Sequence, residues 1–200
     1  MAEHGEVCAP VMLSPDGGIG PGTSRGTRVF DHSRIWQLDG DRFEAAARML
    51  AAGEPPPALV VGIARGGVEL ARFIGAWFGV PFATLTARHN VSDGPYPEMA
   101  DVVEITGAVP TAAPGSILIA DDICGTGDTF TAVVSHVASQ FGPAVIRTVA
   151  LCRNDGAAFV PDAWVWNVAD WVAFPWEEPP YGDRTELLLV PERLCLKEAL

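Results

Sequence analysis

Ile117-Leu118-Ile119-Ala120-Asp121-Asp122-Ile123-Cys124-Gly125-Thr126-Gly127-Asp128-Thr129 is the stretch on which the reading of this chain turns. The apolar run from residue 116 has the length and composition of a buried strand. It leads straight into two acids, then turns through Thr126-Gly127-Asp128-Thr129 into a helix predicted over about 128–141. In open α/β sheets ligands bind beyond the carboxyl ends of the strands. A helix N-terminus at that place offers an anion free N–H groups and the positive end of the helix dipole. Gly127 lets the backbone come close, and Thr126 and Thr129 add hydroxyl donors. Adjacent carboxylates accept hydrogen bonds from vicinal hydroxyls, such as those of a ribose. The constellation suits a ribose 5-phosphate. A plain strand-to-helix turn capped by Asp needs neither both acids nor both threonines. The Walker phosphate loop is excluded, because the chain has no G-K-[ST].

Outward from this centre the pattern alternates. Upstream, Ala58 to Ile63 is a continuous apolar run that predicts a strand buried on both faces. Gly62-Ile63-Ala64-Arg65-Gly66-Gly67 follows it as a glycine-rich turn, then a helix over about 68–78 and a strand over 81–86. Before that strand-turn-helix unit, a cap at Asp39 or Asp41 opens a helix carrying Phe43, Ala46, Ala47 and Leu50, ended by Pro55-Pro56-Pro57. From Ala87 to Asp101 the periodicity vanishes and a long mobile loop is predicted. Short strands are expected near 101–106 and 144–151. Strand and helix in alternation predict an α/β fold with a parallel sheet. Residues 1–28, rich in Gly and Pro, read as a flexible arm, and 29–200 as a single domain.

The chain of 200 residues carries 13 Lys+Arg against 25 Asp+Glu, a formal charge of −12. That balance argues against a nucleic-acid partner and against an anionic membrane, both of which need a basic face. Cys8, Cys124, Cys152 and Cys195 are far apart, with no C-x-x-C pair, which favours a reducing compartment. No cationic and apolar leader opens the sequence and no run reaches the roughly 20 apolar residues of a membrane helix. A cytoplasmic setting is expected.

Hydrophobic strand, two acids, then Thr-Gly-x-Thr resembles the signature of the type I phosphoribosyltransferases. The resemblance spans about residues 34–178. It implies a parallel sheet core flanked by helices, with a small hood from about 34–38 and 162–178 and a mobile lid over 88–101. It also implies displacement at C1 of phosphoribosyl pyrophosphate (PRPP) by a ring nitrogen of a base, assisted by Mg2+, in a homodimer or higher homo-oligomer. Carried over residue by residue, Asp121 and Asp122 are the catalytic carboxylates on the ribose. Cys124, Gly125, Thr126, Gly127, Asp128 and Thr129 hold the 5′-phosphate, and Arg65, Gly66 and Arg88 hold the pyrophosphate.

Four of the six Trp fall between residues 162 and 176. Asp170-Trp171-Val172-Ala173-Phe174-Pro175-Trp176-Glu177 is most similar to the hood of the xanthine/guanine branch. There Trp171 would stack on the base, the Val172 backbone would bond its exocyclic group, and Glu177 would touch a magnesium-bound water. Trp164 and Trp166 are expected in a core or subunit interface. One position departs from the 6-oxopurine members, which carry an Asp before the Thr-Gly to handle the proton at N7. Here it is Gly125, with Cys124 beside it read as a packed thiol. The resemblance therefore points to a purine-like base, modified ones such as a deazapurine included. The alternative it leaves open is a regulator of the same fold that senses PRPP without catalysis.

An acidic protein that binds an anionic diphosphate must do so locally, through backbone N–H groups, magnesium and a few placed arginines. Chelating magnesium or replacing Arg65 with Ala should weaken PRPP binding by a factor of roughly ten or more. Varying salt from 50 to 200 mM should change it far less. Equilibrium titration with PRPP measures all three effects.

Overall fold

The computed structural model describes residues 26–30, 34–90, 99–110, 115–142, 144–177, 186–189 and 197–198. After a short strand β1 (Arg34–Gln37) comes helix α1 (Gly40–Gly53), opened by Asp39, whose Oδ1 accepts the Arg42 N–H at 2.8 Å. The chain continues through β2 (Leu59–Ala64), α2 (Gly67–Phe78), β3 (Phe82–Asn90), β4 (Met99–Thr106), β5 (Ser116–Cys124), α3 (Asp128–Phe141) and β6 (Val145–Asn154). It ends through β7 (Ala163–Val168), β8 (Trp171–Ala173), β9 (Glu186–Leu189) and β10 (Lys197–Glu198).

Seven strands form one sheet in the order β10-β7-β6-β5-β2-β3-β4, with the five inner strands parallel and β4 and β10 antiparallel at the edges. Alternate residues of each strand point to opposite faces, so the core has two halves. On one side Val60, Leu118, Val149 and Leu151 pack with Leu50, Leu70 and Ile74 of α1 and α2. On the other, Val61, Ile63, Ile117 and Ile119 pack with Phe130, Val133 and Val137 of α3. The order of connection matters most for function. From β2 the chain moves outward to β3, then returns to the other side of β2 at β5. The loops after β2 and β5 therefore leave in opposite directions and open a crevice between them.

The expected type I core is present, with several boundaries changed. Arg88 to Asn90 and Met99 to Asp101 belong to strands β3 and β4, so the predicted loop is shorter than 88–101, and residues 91–98 lie outside the described residues. Backbone pairing at the sheet edge carries these strands past the point where apolar periodicity stops. The hood was expected to use 162–178, but β7 is an inner strand of the main sheet, where Trp164 and Trp166 are buried in the core as expected of them. The hood sheet is β8-β1-β9, all parallel, with Ile35 opposite both Trp171 and Leu187.

The arm boundary at residue 28 also moves. Residues 26–30 lie on the domain: Thr27 N–H donates to Gly156 O at 3.1 Å, and Val29 N–H to Asn154 Oδ1 at 2.8 Å. Residues 1–25 are outside the described residues. No described helix is long and apolar enough to cross a membrane.

The two glycines that open α1 and α2 test this packing. Around Gly40 a Cβ would meet nothing within 4 Å, whereas at Gly67 it would lie 2.2 Å from Ala120 O. Gly67→Ala should destabilise the protein by about 1–3 kcal/mol. Gly40→Ala should be neutral or slightly stabilising. Urea unfolding of the two variants separates these outcomes.

Candidate active site

The crevice between β2 and β5 holds an open cleft of about 750 Å3, counting its solvent-filled mouth, lined by residues from both strand ends and from the start of α3. Asp121 and Asp122 close its floor, each with 8% of its surface exposed. They sit where the β5 ladder ends, so both carboxylates are held by backbone donors. Asp121 Oδ1 accepts the Asp122 N–H at 3.0 Å and the Asp121 carboxylate also takes the Gly67 N–H, while Asp122 is bonded by the Ile123 N–H.

The β2–α2 loop crosses directly over this pair, through a cis peptide between Ala64 and Arg65. A Cβ at Gly66 would stand 1.8 Å from Asp122 Oδ2. Only a residue without a side chain brings the loop amides this near the acids.

Burial sets the electrostatics. Desolvation first, then the neighbouring Asp122 charge, holds Asp121 well above the usual carboxylate range. For Asp122, desolvation followed by the charge of Glu177 raises the pKa to about 7, against the attraction of Arg28. Glu177 is itself raised, mainly by burial, while Arg28 and Arg65 pull the other way; its Oε2 accepts the Phe174 N–H at 3.2 Å. Two acids pressed upward in this way are ready to accept hydrogen bonds from hydroxyls, or to receive a cation that comes with a ligand.

The third wall is the start of α3. Gly127 has φ of +98°, and a Cβ there would lie 2.3 Å from Phe159 Cβ. Thr126 Oγ1 accepts the Asp128 N–H at 3.3 Å, and Thr126 O accepts the Ala158 N–H at 2.9 Å. The loop is thereby fixed with the α3 N-terminus facing the cleft, a ready anion site.

Of the residues singled out from sequence, Arg65, Gly66, Asp121, Asp122, Cys124, Gly125, Thr126, Gly127 and Thr129 meet in this cleft. Asp128 begins α3 beside it. The Cys124 side chain is buried with Sγ 3.6 Å from Phe159 O, and burial pushes its thiol up to about 12, so it stays protonated and only its backbone faces a ligand.

Trp171 and Val172 do not line the cleft floor. Val172 is buried, and Trp171 stacks on Phe30 at 6.2 Å between ring centroids. Arg88 lies in β3 opposite Glu104, and its side chain is outside the described residues.

One lining residue escaped the sequence reading. Arg28, assigned to the arm, reaches into the cleft, with its guanidinium carbon 4.9 Å from the Trp171 ring centre and 5.4 Å from that of Phe30. The available signal was the apolar pair Val29-Phe30 directly after it, at the end of a Gly-rich segment. Its seat depends on small residues: a Cβ at Gly156 would lie 1.8 Å from Thr27 O, and one at Gly26 2.1 Å from Thr126 O.

The Asp122 environment gives a stability prediction. Its folded pKa of about 7 lies above the ordinary 3.8, so the folded state binds the proton more tightly than the unfolded chain. Folding stability therefore falls as pH rises from about 4 to about 7, and the penalty is complete above that. Asp122→Asn removes it. The variant should exceed the parent by about 1–3 kcal/mol in denaturant unfolding at pH 8, a gap that shrinks toward pH 5. Its turnover should fall about a hundredfold or more.

The sequence pattern of the phosphoribosyl transferase domain matches residues 39–182. Among solved structures, the chain is similar to a purine phosphoribosyltransferase from Pyrococcus horikoshii Ot3 at 25% identity and a TM-score of 0.62, covering 75% of this chain and 99% of that one. It shares its fold with a xanthine-guanine-hypoxanthine phosphoribosyltransferase from Helicobacter pylori, at 16% identity and a TM-score of 0.61, over 72% of this chain and 93% of the other. A Neisseria gonorrhoeae protein with bound ppGpp has the same fold at 16% identity and a TM-score of 0.57, over 74% of this chain and 91% of the other. No curated protein sequence matches. Because the matched segment contains the acid pair, both glycine-bearing anion loops and the Trp171 strand, the chain belongs to the phosphoribosyltransferase family and is an enzyme of the pentosyltransferase type.

Proposed function

We propose that this enzyme joins the ribose 5-phosphate of PRPP to a ring nitrogen of a purine-like base, releasing pyrophosphate. The observation that carries the reading is the convergence on one cleft of a carboxylate pair, a helix N-terminus with threonine hydroxyls, and an arginine on a glycine loop. These three match the hydroxyls, the 5′-phosphate and the diphosphate of one ligand. That the Pyrococcus horikoshii relative is a purine phosphoribosyltransferase, together with the stacked Trp171 and Phe30 behind Arg28, supports a flat acceptor.

In this reading the amides of residues 125–129 and the hydroxyls of Thr126 and Thr129 bind the 5′-phosphate. Asp121 and Asp122 accept the ribose hydroxyls and set negative charge beside a C1 that becomes cationic as the bond to pyrophosphate breaks. Arg65 and the Gly66 amide take the departing diphosphate. Fixed placement of both reactants supplies much of the remaining acceleration.

Among the described residues no three His, Cys, Asp or Glu side chains gather as a metal site. The donor set nevertheless fits magnesium, which is commonly held by one or two carboxylates together with substrate phosphates. Asp122 and Glu177, whose raised pKa values mark a site short of positive charge, would hold it, Glu177 through water. When bound it would neutralise the leaving diphosphate. Gly125 has no side chain to take a proton from the acceptor, so the acceptor nitrogen must lose its proton elsewhere or arrive ionised.

Incubation with PRPP, magnesium and a panel of purines and deazapurines should release pyrophosphate and form one nucleoside 5′-monophosphate preferentially. Tight PRPP binding with no product from any member would overturn this reading in favour of a PRPP-sensing regulator.

A further inference from the structure

Among the described arginines, Arg28 is set apart by its place in the cleft against two aromatic rings. Its side chain lies in van der Waals contact with the place a side chain at position 125 would start: Cδ, Nε and Cζ lie 3.7, 3.8 and 4.0 Å from where a Gly125 Cβ would stand. The guanidinium rests against the Trp171 and Phe30 rings, and its Nε has no hydrogen-bond acceptor among the described residues. Burial lowers its pKa, opposed by the charges of Asp122, Glu177 and Cys152. A buried N–H without an acceptor is costly to the protein unless a ligand supplies one. That donor is itself sealed from solvent, while the rest of the Arg28 side chain lines the cleft beside Gly125.

We infer that Arg28 is the residue that selects the acceptor, and that it does so by binding a carboxylate or ionised acceptor edge on the incoming heterocycle. This rests on the transferase reading above and names the chemistry of its acceptor. A guanidinium pairs with a carboxylate through two parallel hydrogen bonds, and the Trp171 and Phe30 rings against which it rests hold it in place. An acceptor that arrives already ionised at its ring nitrogen also answers the lack of a side chain at Gly125, since it needs no base.

The seat of Arg28 is built for the purpose of holding one position. Thr27 is bonded to Gly156, Val29 N–H to Asn154 Oδ1, and Asn154 Nδ2 to Val29 O at 2.9 Å, with Asn154 fully buried. Three hydrogen bonds around one residue fix the backbone from which Arg28 projects.

The test uses matched acceptors that differ only by a carboxylate: 7-deazaguanine against its 7-carboxylate, and uracil against its 6-carboxylate. Both turnover with PRPP and magnesium and equilibrium binding in the presence of PRPP are measured. The parent enzyme should favour the carboxylate member of at least one pair by tenfold or more in kcat/KM. In Arg28→Ala that ratio should fall to near one, and Arg28→Lys should restore part of it. Gly125→Asp, which leaves the 26–30 segment in place and supplies Arg28 with an internal partner, should also erase the preference.

Selective binding of a carboxylate member without any turnover overturns the transferase reading and leaves the role of Arg28 standing. Turnover with no charge preference in the parent overturns the role of Arg28 and leaves the transferase reading standing. A gain of turnover with neutral purines in Arg28→Ala, above the parent, would make Arg28 an obstruction rather than a contact, and overturns the inference as well.

Discussion

Everything in the cleft depends on how closely the loop after β2 crosses the end of β5. Gly66 and Gly67 lie so near Asp122 and Ala120 that no side chain fits between them. That contact buries the two acids, and burial is what raises their pKa values. It also puts the Gly67 amide on the Asp121 carboxylate, coupling the loop that carries Arg65 to the floor of the site. The strand order makes the contact possible, because the chain reverses direction across the sheet between β3 and β5. A preorganised but electrostatically unfavourable floor is the result.

The same arrangement explains how an acidic protein handles an anionic diphosphate. With a formal charge of −12, attraction from the molecule as a whole is absent. Positive potential has to come from the α3 N-terminus, the loop amides and individual arginines placed at the cleft. Arg65 and Arg28 both line it, and both exert their charge on Glu177. Local placement replaces general attraction.

Much of this was legible in the sequence because it is local. The strand, the acid pair and Thr-Gly-x-Thr are contiguous, and the β2 loop repeats the strand-turn-helix pattern upstream. The start of α1 at Asp39 and the extent of α3 followed from capping and periodicity alone. What escaped depends on contacts between distant segments. The β9 strand pairs with β1 across more than half the chain, and nothing in Glu186–Leu189 names its partner. β7 looked like hood because its tryptophans resemble those of Trp171 and Trp176, whereas only register decides which sheet they join. Arg28 was hidden for the same reason: its surroundings are glycine-rich, and the residues that hold it are Asn154 and Gly156.

That last separation, 125 residues between Val29 and Asn154, bears on how the protein is made. During synthesis at roughly 5–20 residues per second, Arg28 leaves the ribosome on the order of ten seconds before its seat exists. The β2 loop, the acid pair and the α3 turn are all translated in the interval. The Arg28 wall of the cleft is thus encoded first and completed late, after the rest of the pocket has had time to form around an open side.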